Sequence, residues 1–205
     1  MSSSNVVALV MAAGYSRRFG EDDKRCATLT DGRSLLAASV ANAEQAFPIL
    51  RVAIREEDDA ASLGLTESTS LIRLHQAHLG LGASLAEAVA ALSHDARLNS
   101  VEAVAILLGD MPWIQQETLL SLQRLATRDT IVRPCHEGKP GHPVIFGRTL
   151  WPAFTTLNGH TGAKEIIRNN AAYYREYHVQ DAGTMMDIDV PAHLASSKHA
   201  TPDGA

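Results

Sequence analysis

The chain has few cysteines, no long apolar run and no excess of positive charge, and each absence excludes a class of protein. Of its 205 residues only Cys26 and Cys135 are cysteines, and they lack the paired spacing of a disulfide framework or a zinc ribbon. No apolar run reaches the roughly 18 residues that span a bilayer, so no membrane partner is expected. The formal net charge of −5 argues against general nucleic-acid binding.

These absences favour a soluble, cytoplasmic protein. The first residues, Met-Ser-Ser-Ser-Asn, lack the basic and apolar regions of a signal peptide, and we expect both cysteines to be free thiols. Apolar residues make up 45% of the chain, which is enough for a core without disulfides. We predict one domain over residues 1–195 and a flexible tail over 196–205, where the residues are small and polar.

Short apolar runs alternate with amphipathic stretches along most of the chain. This alternation predicts a three-layer α/β fold with a mostly parallel sheet. Strands are predicted at 6–11, 49–54, 71–74, 103–108, 130–134, 144–146 and 173–179. Helices are predicted after Ser34, over 56–63, from the stretch 80–84, after Pro112 and after Gly159. The middle-to-late part, about 130–180, is rich in strands and is expected to hold a small antiparallel excursion.

The most informative stretch is residues 6–24. A buried strand, 6–11, ends in Ala12-Ala13-Gly14, where small residues let the backbone approach a ligand closely. Arg17, Arg18 and Lys24 follow, which suggests a phosphate site. No Gly-Lys-Ser/Thr or G-x-G-x-x-G is present, so neither a P-loop nor a dinucleotide fingerprint is formed. Taken alone, the stretch also fits a structural turn with surface arginines.

Four further stretches carry candidate chemistry. Gly80-Leu81-Gly82-Ala83-Ser84 opens a helix and could hold an anion or a base edge, although a plain loop with a serine cap also fits. Asp110 directly follows a buried strand, where it could bind a metal or cap the next helix. His142 lies between Gly141 and Pro143 and could contact a ligand or the backbone. An acidic cluster, Asp187-Ile188-Asp189, follows near the end.

Four motifs stand in one order along the chain and carry a resemblance to a known family. They are Ala12-Ala13-Gly14-Tyr15-Ser16-Arg17-Arg18-Phe19-Gly20, Leu108-Gly109-Asp110-Met111-Pro112, Gly141-His142-Pro143-Val144 and Asp187-Ile188-Asp189-Val190-Pro191. Together they resemble the molybdenum cofactor cytidylyltransferases, within the molybdopterin nucleotidyltransferases. The resemblance covers about residues 5–195. The first motif alone indicates only a nucleotidyltransferase.

The resemblance implies a fold, a reaction and partners. The fold is a Rossmann-like nucleotidyltransferase fold. The reaction is transfer of CMP from CTP to the phosphate of molybdenum-loaded molybdopterin, with release of pyrophosphate and dependence on Mg²⁺. The implied client is a molybdenum hydroxylase such as xanthine dehydrogenase. Ala-Ala-Gly, where the guanylyl branch usually has Ala-Gly-Gly, and aspartates at 187 and 189, where that branch tends to have asparagines, favour cytidylyl transfer.

The resemblance also implies roles for individual residues. The nucleotide would lie against the backbone of Ala12, Ala13 and Gly14, with its phosphates on Arg18 and Lys24 and its base or ribose near Gly82 and Ser84. Mg²⁺ would be held by Asp110 together with Asp189 or Asp187. The pterin would contact His142, Pro143 and Lys164. Arg18, Lys24 and Asp110 are the expected catalytic residues.

Two departures keep other interpretations open. Glu21-Asp22-Asp23 is inserted before Lys24, so that Arg25 could take the role of Lys24, and Lys164 stands where the family often has arginine. The alternatives are a GTP-dependent molybdopterin guanylyltransferase, a transferase for a sugar or alcohol phosphate, a non-catalytic carrier of the cofactor, and a degenerate paralogue.

Overall fold

The computed structural model describes residues 5–15, 23–159 and 161–188, and within these ranges eight strands form one sheet. The strands are β1 (Val6–Met11), β2 (Ile49–Arg55), β3 (Leu71–Leu74), β4 (Ala103–Leu108), β5 (Ile131–His136), β6 (Lys139–Pro140), β7 (Val144–Gly147) and β8 (Tyr174–His178). The α-helices are α1 (Leu35–Ala46), α2 (Leu81–His94), α3 (Gln116–Leu125) and α4 (Lys164–Asn169). A 3₁₀ stretch, Arg148–Thr156, follows β7.

The sheet is parallel on one side and mixed on the other. β1 pairs in parallel with β2 and with β4, and β2 pairs in parallel with β3. β7 pairs antiparallel with β4 and with β5, while β8 runs parallel to β5. The α/β fold with a mostly parallel sheet and a small antiparallel part is therefore confirmed.

Helices cover both faces of the sheet because β1 is apolar along its whole length. Val6, Ala8 and Val10 point to the face covered by α1 and α3, and Val7 and Leu9 point to the opposite face. That opposite face is covered by α2, the 3₁₀ stretch and α4. A strand buried on both faces reads as a continuous apolar run, which is the pattern that the sequence shows.

The chain leaves β1 in one direction and returns to its other edge. After β1 it crosses through α1 to β2, and after β3 it comes back through α2 to β4, which pairs with β1. Since α1 and α2 lie on opposite faces, the strand order reverses between β1 and β4. Ligands of open α/β sheets bind beyond the carboxyl ends of the strands at such a reversal.

Several predicted element boundaries are corrected by the structure. The prediction of a helix over 56–63 is wrong. This segment is a series of turns held by the side chain of Asp58, which accepts a hydrogen bond from the amide of Arg55. The helix predicted to open within 80–84 begins at Leu81, and the alternative of a Ser84 cap is wrong, because the Ser84 hydroxyl donates to the carbonyl of Gly80. Ser34 caps α1 as predicted, accepting from the amide of Ala37.

Part of the predicted domain organisation lies outside the described residues. This applies to the tail over 196–205 and to the boundary at 195. No helix in the described part of the chain is both long and apolar enough to cross a membrane.

Gly82 fixes the distance between α2 and the segment before α4. Its amide donates to the carbonyl of Gly159 at 2.8 Å. A β-carbon at position 82 would lie 2.5 Å from the Thr161 oxygen and 2.6 Å from the Asn158 oxygen. Backbone atoms form that contact, so a side chain at 82 could be accommodated only by moving one segment away from the other.

Replacing Gly82 by alanine should therefore destabilise the protein by about 1–3 kcal/mol through overpacking. The matched control is Gly162→Ala, because a β-carbon there would meet only Leu81, at 3.5 Å. Urea unfolding of both variants measures the difference. Equal stability of the two variants would contradict the packing argument.

Candidate active site

A cleft of about 390 Å³ opens at the carboxyl ends of β1 and β4. Three segments converge there: the loop after β1, the turn after β4 and the amino-terminal end of α2. The lining residues are Met11, Ala12, Ala13, Gly14, Tyr15, Lys24, Arg25, Ala77, His78, Gly80, Leu81, Ser84, Leu108, Gly109 and Asp110. The cleft thus brings together three stretches that are about 30 to 100 residues apart in the sequence. Each of them contains one of the motifs described above.

The loop after β1, residues 12–15, is held by its carbonyl groups. Arg25 donates through Nη1 to the Ala12 oxygen at 2.6 Å. Arg55 donates through Nε to the Ala13 oxygen at 3.4 Å and through Nη2 to the Gly14 oxygen. Two guanidinium groups therefore bind three successive carbonyls of this loop, which we call the signature loop.

Binding of these carbonyls directs the amides of the signature loop. In a trans peptide the C=O and the following N–H point in opposite directions. The amides of Ala13, Gly14 and Tyr15 therefore point away from the arginines, and none has a hydrogen-bond partner within the described residues. Successive free amides of this kind form an anion-binding surface.

Arg25 is itself fixed by two carboxylates and is only 5% exposed. It binds Asp58 through both Nη atoms, and it binds Asp23 through Nε and Nη2. Burial opposes its charge, but these hydrogen bonds raise the pKa of Arg25 above its usual value. The prediction that Arg25 could replace Lys24 at the phosphates is therefore corrected: Arg25 supports the loop, and Asp23 turns towards Arg25.

Lys24 and Asp110 meet at the floor of the cleft. Lys24 Nζ lies 2.6 Å from Asp110 Oδ2, and both side chains are mostly buried. Asp110 Oδ1 is buried and has no hydrogen-bond partner within the described ranges. Burial raises the pKa of Asp110, the negative charge of Asp187 adds to this, and Lys24 lowers it. The carboxylate has an uncompensated oxygen, which suits a further cation.

Asp187 reaches this neighbourhood through the segment that follows β8. The amide of Ile188 donates to the Asp110 carbonyl at 3.2 Å, and Ile188 is fully buried against Leu35. Asp187 is exposed beside it. No group of three or more His, Cys, Asp or Glu side chains suitable for a metal occurs among the described residues. A divalent cation here would therefore take one or two carboxylates and complete its shell with phosphate and water oxygens, as Mg²⁺ commonly does.

A second cavity, of about 270 Å³, shares Met11, Leu81 and Leu108 with the first. Its other lining residues are Leu85, Ile106, Arg133, His142, Val144, Phe146, Gly162, Ala163, Lys164 and Ile167. Most of this wall is apolar, and the exceptions are two cations and one histidine. No carboxylate within the described residues forms an ion pair with Arg133 or Lys164.

His142 lies in this second cavity as a neutral imidazole. Burial lowers its pKa to about 4, and the positive charges of Arg133 and Lys164 contribute. Its Nδ1 atom is buried without a hydrogen-bond partner in the described part of the chain. Its amide donates to the Thr184 carbonyl at 2.7 Å, and Arg133 Nε donates to the neighbouring Gly141 carbonyl at 2.9 Å. The backbone at His142 is thus held in place, while Nδ1 of the ring remains unsatisfied within the described residues.

The structure brings most of the predicted site residues together. Ala12, Ala13, Gly14, Lys24, Ser84 and Asp110 line the first cleft, and His142 and Lys164 line the second cavity. Gly82 lines neither, because it packs against Asn158 and Thr161. Pro143 is buried, follows a cis peptide bond and is not among the lining residues. Arg18 and Asp189 lie outside the described residues.

Three arginine-related features were missed by the sequence analysis. Arg25 and Arg55 act on the signature loop from positions 13 or more residues away, and no local pattern reveals such a contact. Arg133 left a signal that could have been used: it is a lone charge in the apolar strand β5, Ile-Val-Arg-Pro-Cys. A charged residue inside a buried strand needs a partner or a ligand.

Comparison with known proteins finds a curated relative that matches part of its own length to this chain. The sequence is 25% identical over 146 residues to the bifunctional protein GlmU of Sphingopyxis alaskensis, a match that takes in 71% of this chain and 31% of that protein. The chain therefore spans about a third of the length of this curated relative.

Three solved structures share the fold. One is an Rv0371c homologue from Mycobacterium sp. strain JC1, with 29% identity, a TM-score of 0.78, and coverage of 94% of this chain and 96% of that one. Another is Rv0371c of Mycobacterium tuberculosis in complex with manganese (22%, TM-score 0.75, 96% and 99% covered). The third is molybdopterin-guanine dinucleotide biosynthesis protein A from Archaeoglobus fulgidus (18%, TM-score 0.62, 94% and 96% covered).

Residues 8–176 match the family described as the MobA-like NTP transferase domain. This range runs from β1 into β8 and includes the signature loop, Lys24, Asp110 and both cavities. The match extends over most of the chain, and the chain therefore belongs to this family of nucleotidyltransferases.

Proposed function

We propose that this protein transfers CMP from CTP to the phosphate of molybdenum-loaded molybdopterin and releases pyrophosphate. The observation that carries the proposal is the arrangement of two adjoining cavities, the first of which has Asp110 at its floor. One cavity offers an anion-binding loop and the other offers an apolar wall with two cations. A transferase needs such a pair, because its donor and its acceptor must meet at one phosphorus atom.

The first cleft suits a nucleoside triphosphate. The free amides of Ala13, Gly14 and Tyr15 would bind phosphate oxygens. Lys24 lies at the floor of the cleft, where it would neutralise the charge of the phosphates. Arg18 is proposed to assist at the β- and γ-phosphates. Ser84 and the amino-terminal end of α2 form the opposite wall, where the ribose or base would lie.

The second cavity suits an acceptor with a flat body and an anionic group. Its apolar wall would pack against a ring system, and Arg133 and Lys164 would attract the phosphate that is to be cytidylylated. His142 is neutral and presents an unsatisfied nitrogen, which can hydrogen bond to a polar edge of the ring. A pterin has both a planar ring and polar edges.

The chemistry requires little from acid–base groups. The acceptor phosphate is a monoester with a second pKa of about 6, so it is largely dianionic at pH 7 and needs no general base. It would attack the α-phosphorus in line while pyrophosphate departs. Lys24, Arg18 and the loop amides would stabilise the charge that develops on the leaving group. A divalent cation bound to Asp110, with Asp187 or Asp189, would supply further neutralisation of the phosphates.

The choice of CTP and molybdopterin within the family rests on the sequence motifs. Ala13 in the signature loop and the aspartates at 187 and 189 are the features that resemble the cytidylyl branch. The name of the Archaeoglobus neighbour, a molybdopterin-guanine dinucleotide biosynthesis protein, supports a pterin acceptor. Manganese in the mycobacterial neighbour supports a divalent cation, and we propose Mg²⁺ here. The product would be delivered to a molybdenum hydroxylase.

The test is pyrophosphate release with molybdenum-loaded molybdopterin and Mg²⁺, comparing CTP, GTP, UTP and ATP. We expect turnover with CTP and at least about tenfold less with the others. A preference for GTP would assign the protein to guanylyl transfer. Turnover only with a sugar or alcohol phosphate would replace the acceptor, and pterin binding without any turnover would identify a carrier.

Asp110→Asn should lower kcat by about 100-fold or more, because it weakens the site that neutralises phosphate charge. The matched control is Asp95→Asn, which likewise removes a carboxylate that is paired with cations. Asp95 binds Arg51 and Arg97 at the far end of α2. The assay is initial-rate pyrophosphate release at saturating substrates. A normal kcat for Asp110→Asn would refute the role of this carboxylate.

His142→Gln should flatten the pH dependence of stability. The wild-type imidazole has a pKa of about 4 in the folded protein, against about 6.5 when unfolded, so the unfolded state binds more protons between these values. Stability should fall as the pH drops from about 6.5 to 4, by up to about 3 kcal/mol from this residue. Urea unfolding across this range measures the slope, and equal slopes in the two proteins would contradict the buried neutral state.

A further inference from the structure

Arg55 differs from Arg25 in how it is used. Arg25 is saturated by Asp23, Asp58 and one loop carbonyl. Among the described residues, Arg55 forms only long ion pairs, 3.7 Å to Asp58 and 3.8 Å to Asp23, and it directs its hydrogen bonds to the carbonyls of Ala13 and Gly14. The contacts of Arg55 are therefore mainly with the signature loop.

The guanidinium of Arg55 also fixes the end of that loop. It lies over the ring of Tyr15, 4.2 Å from the ring centroid. The Tyr15 hydroxyl lies 3.4 Å from Glu57, two residues beyond Arg55. Three consecutive residues, 13–15, are thus held by one side chain at the carboxyl end of β2.

We propose that Arg55 is a positioning residue for triphosphate binding. It directs the amides of Gly14 and Tyr15 towards the phosphates by binding the carbonyls of Ala13 and Gly14, which precede those amides in the trans peptides. Arg55 is 13% exposed and is not among the residues that line the cleft, so it acts through the loop without touching the nucleotide. This inference rests on the nucleotide half of the proposed function and does not depend on the base or the acceptor.

The effect of Arg55 is geometric more than electrostatic. Arg25 and Arg55 bring two positive charges, and Asp23 and Asp58 bring two negative charges within 4 Å of them, so the cluster is neutral overall. A lysine at position 55 would keep the charge, but it lacks the planar fork that binds two carbonyls and stacks on a ring. Arg55→Lys therefore separates geometry from charge.

Arg51 supplies a matched control on the same strand. It lies four residues before Arg55, so that the two side chains leave β2 on the same face. Its side chain is 12% exposed and is paired with Asp95 at 3.0 Å. Arg51→Gln therefore removes an arginine that is paired with an aspartate on the same strand, and Arg51 forms no hydrogen bond with the signature loop among the described residues.

The first experiment is calorimetric titration with magnesium tripolyphosphate, which has neither base nor acceptor. We expect Arg55→Gln and Arg55→Lys to raise Kd about tenfold and Arg51→Gln to leave it within about twofold of wild type. A misfolded fraction would lower the binding stoichiometry and leave Kd unchanged. Wild-type Kd in Arg55→Gln, or full recovery in Arg55→Lys, would overturn the proposal, and so would the absence of binding to the wild-type protein.

The second readout is steady-state kinetics with the nucleotide that the wild-type protein prefers. Arg55→Gln should raise the KM for the nucleotide about tenfold, with kcat within about threefold of wild type and an unchanged KM for the acceptor. A fall of about tenfold in kcat with an unchanged KM for the nucleotide would contradict a positioning role. If another nucleotide or acceptor replaces CTP or molybdopterin, the titration result is unaffected, so the two proposals can fail separately.

Discussion

The direct pairing of β1 with β4 is the constraint on which the site depends. Six residues of each strand are in register, and the ladder continues beyond the strands through the Gly109 amide, which donates to the Met11 carbonyl at 3.0 Å. The signature loop and Asp110 therefore leave the sheet side by side. A β-carbon on Gly109 would meet Leu36 at 2.8 Å and Ala12 at 3.2 Å, which shows how closely the two turns approach. Lys24 Nζ lies 2.6 Å from Asp110 Oδ2 at this edge of the sheet.

The sequence was sufficient to predict the parts that depend on local pattern. Buried strands are continuous apolar runs, and β1 and β4 were predicted at their observed bounds for this reason. Asp110 was placed at the sheet edge where ligands bind because it directly follows a buried strand, and the family resemblance implied that it shares a site with the residues after β1. The cap formed by Ser34 was also predicted correctly, because a cap binds the backbone of its own helix and is therefore a local feature.

The remaining features depend on contacts between distant segments. The stretch 56–63 has a helical pattern, but Asp58 satisfies Arg55 and Arg25 in place of the helix backbone. Gly82 was predicted to lie near the base or ribose, whereas in the structure it packs against the carbonyls of Asn158 and Thr161. A single sequence contains no signal for which chain segment will lie against another, so tertiary partners overrule such local patterns.

The antiparallel pairing of β7 with β4 brings two different kinds of connection to one edge of the sheet. Asp110 follows β4, whereas His142 precedes β7, and both lie at this edge because the strands run in opposite directions. The signature loop follows β1, whose partners are parallel, whereas the segment before β7 returns the chain from β5 to an antiparallel neighbour. Residues of the segment before β7 line the second cavity, while the hydrogen bonds that hold the signature loop come from Arg25 and Arg55. Substitutions before β7 can therefore reshape the second cavity without removing the arginine contacts of the signature loop.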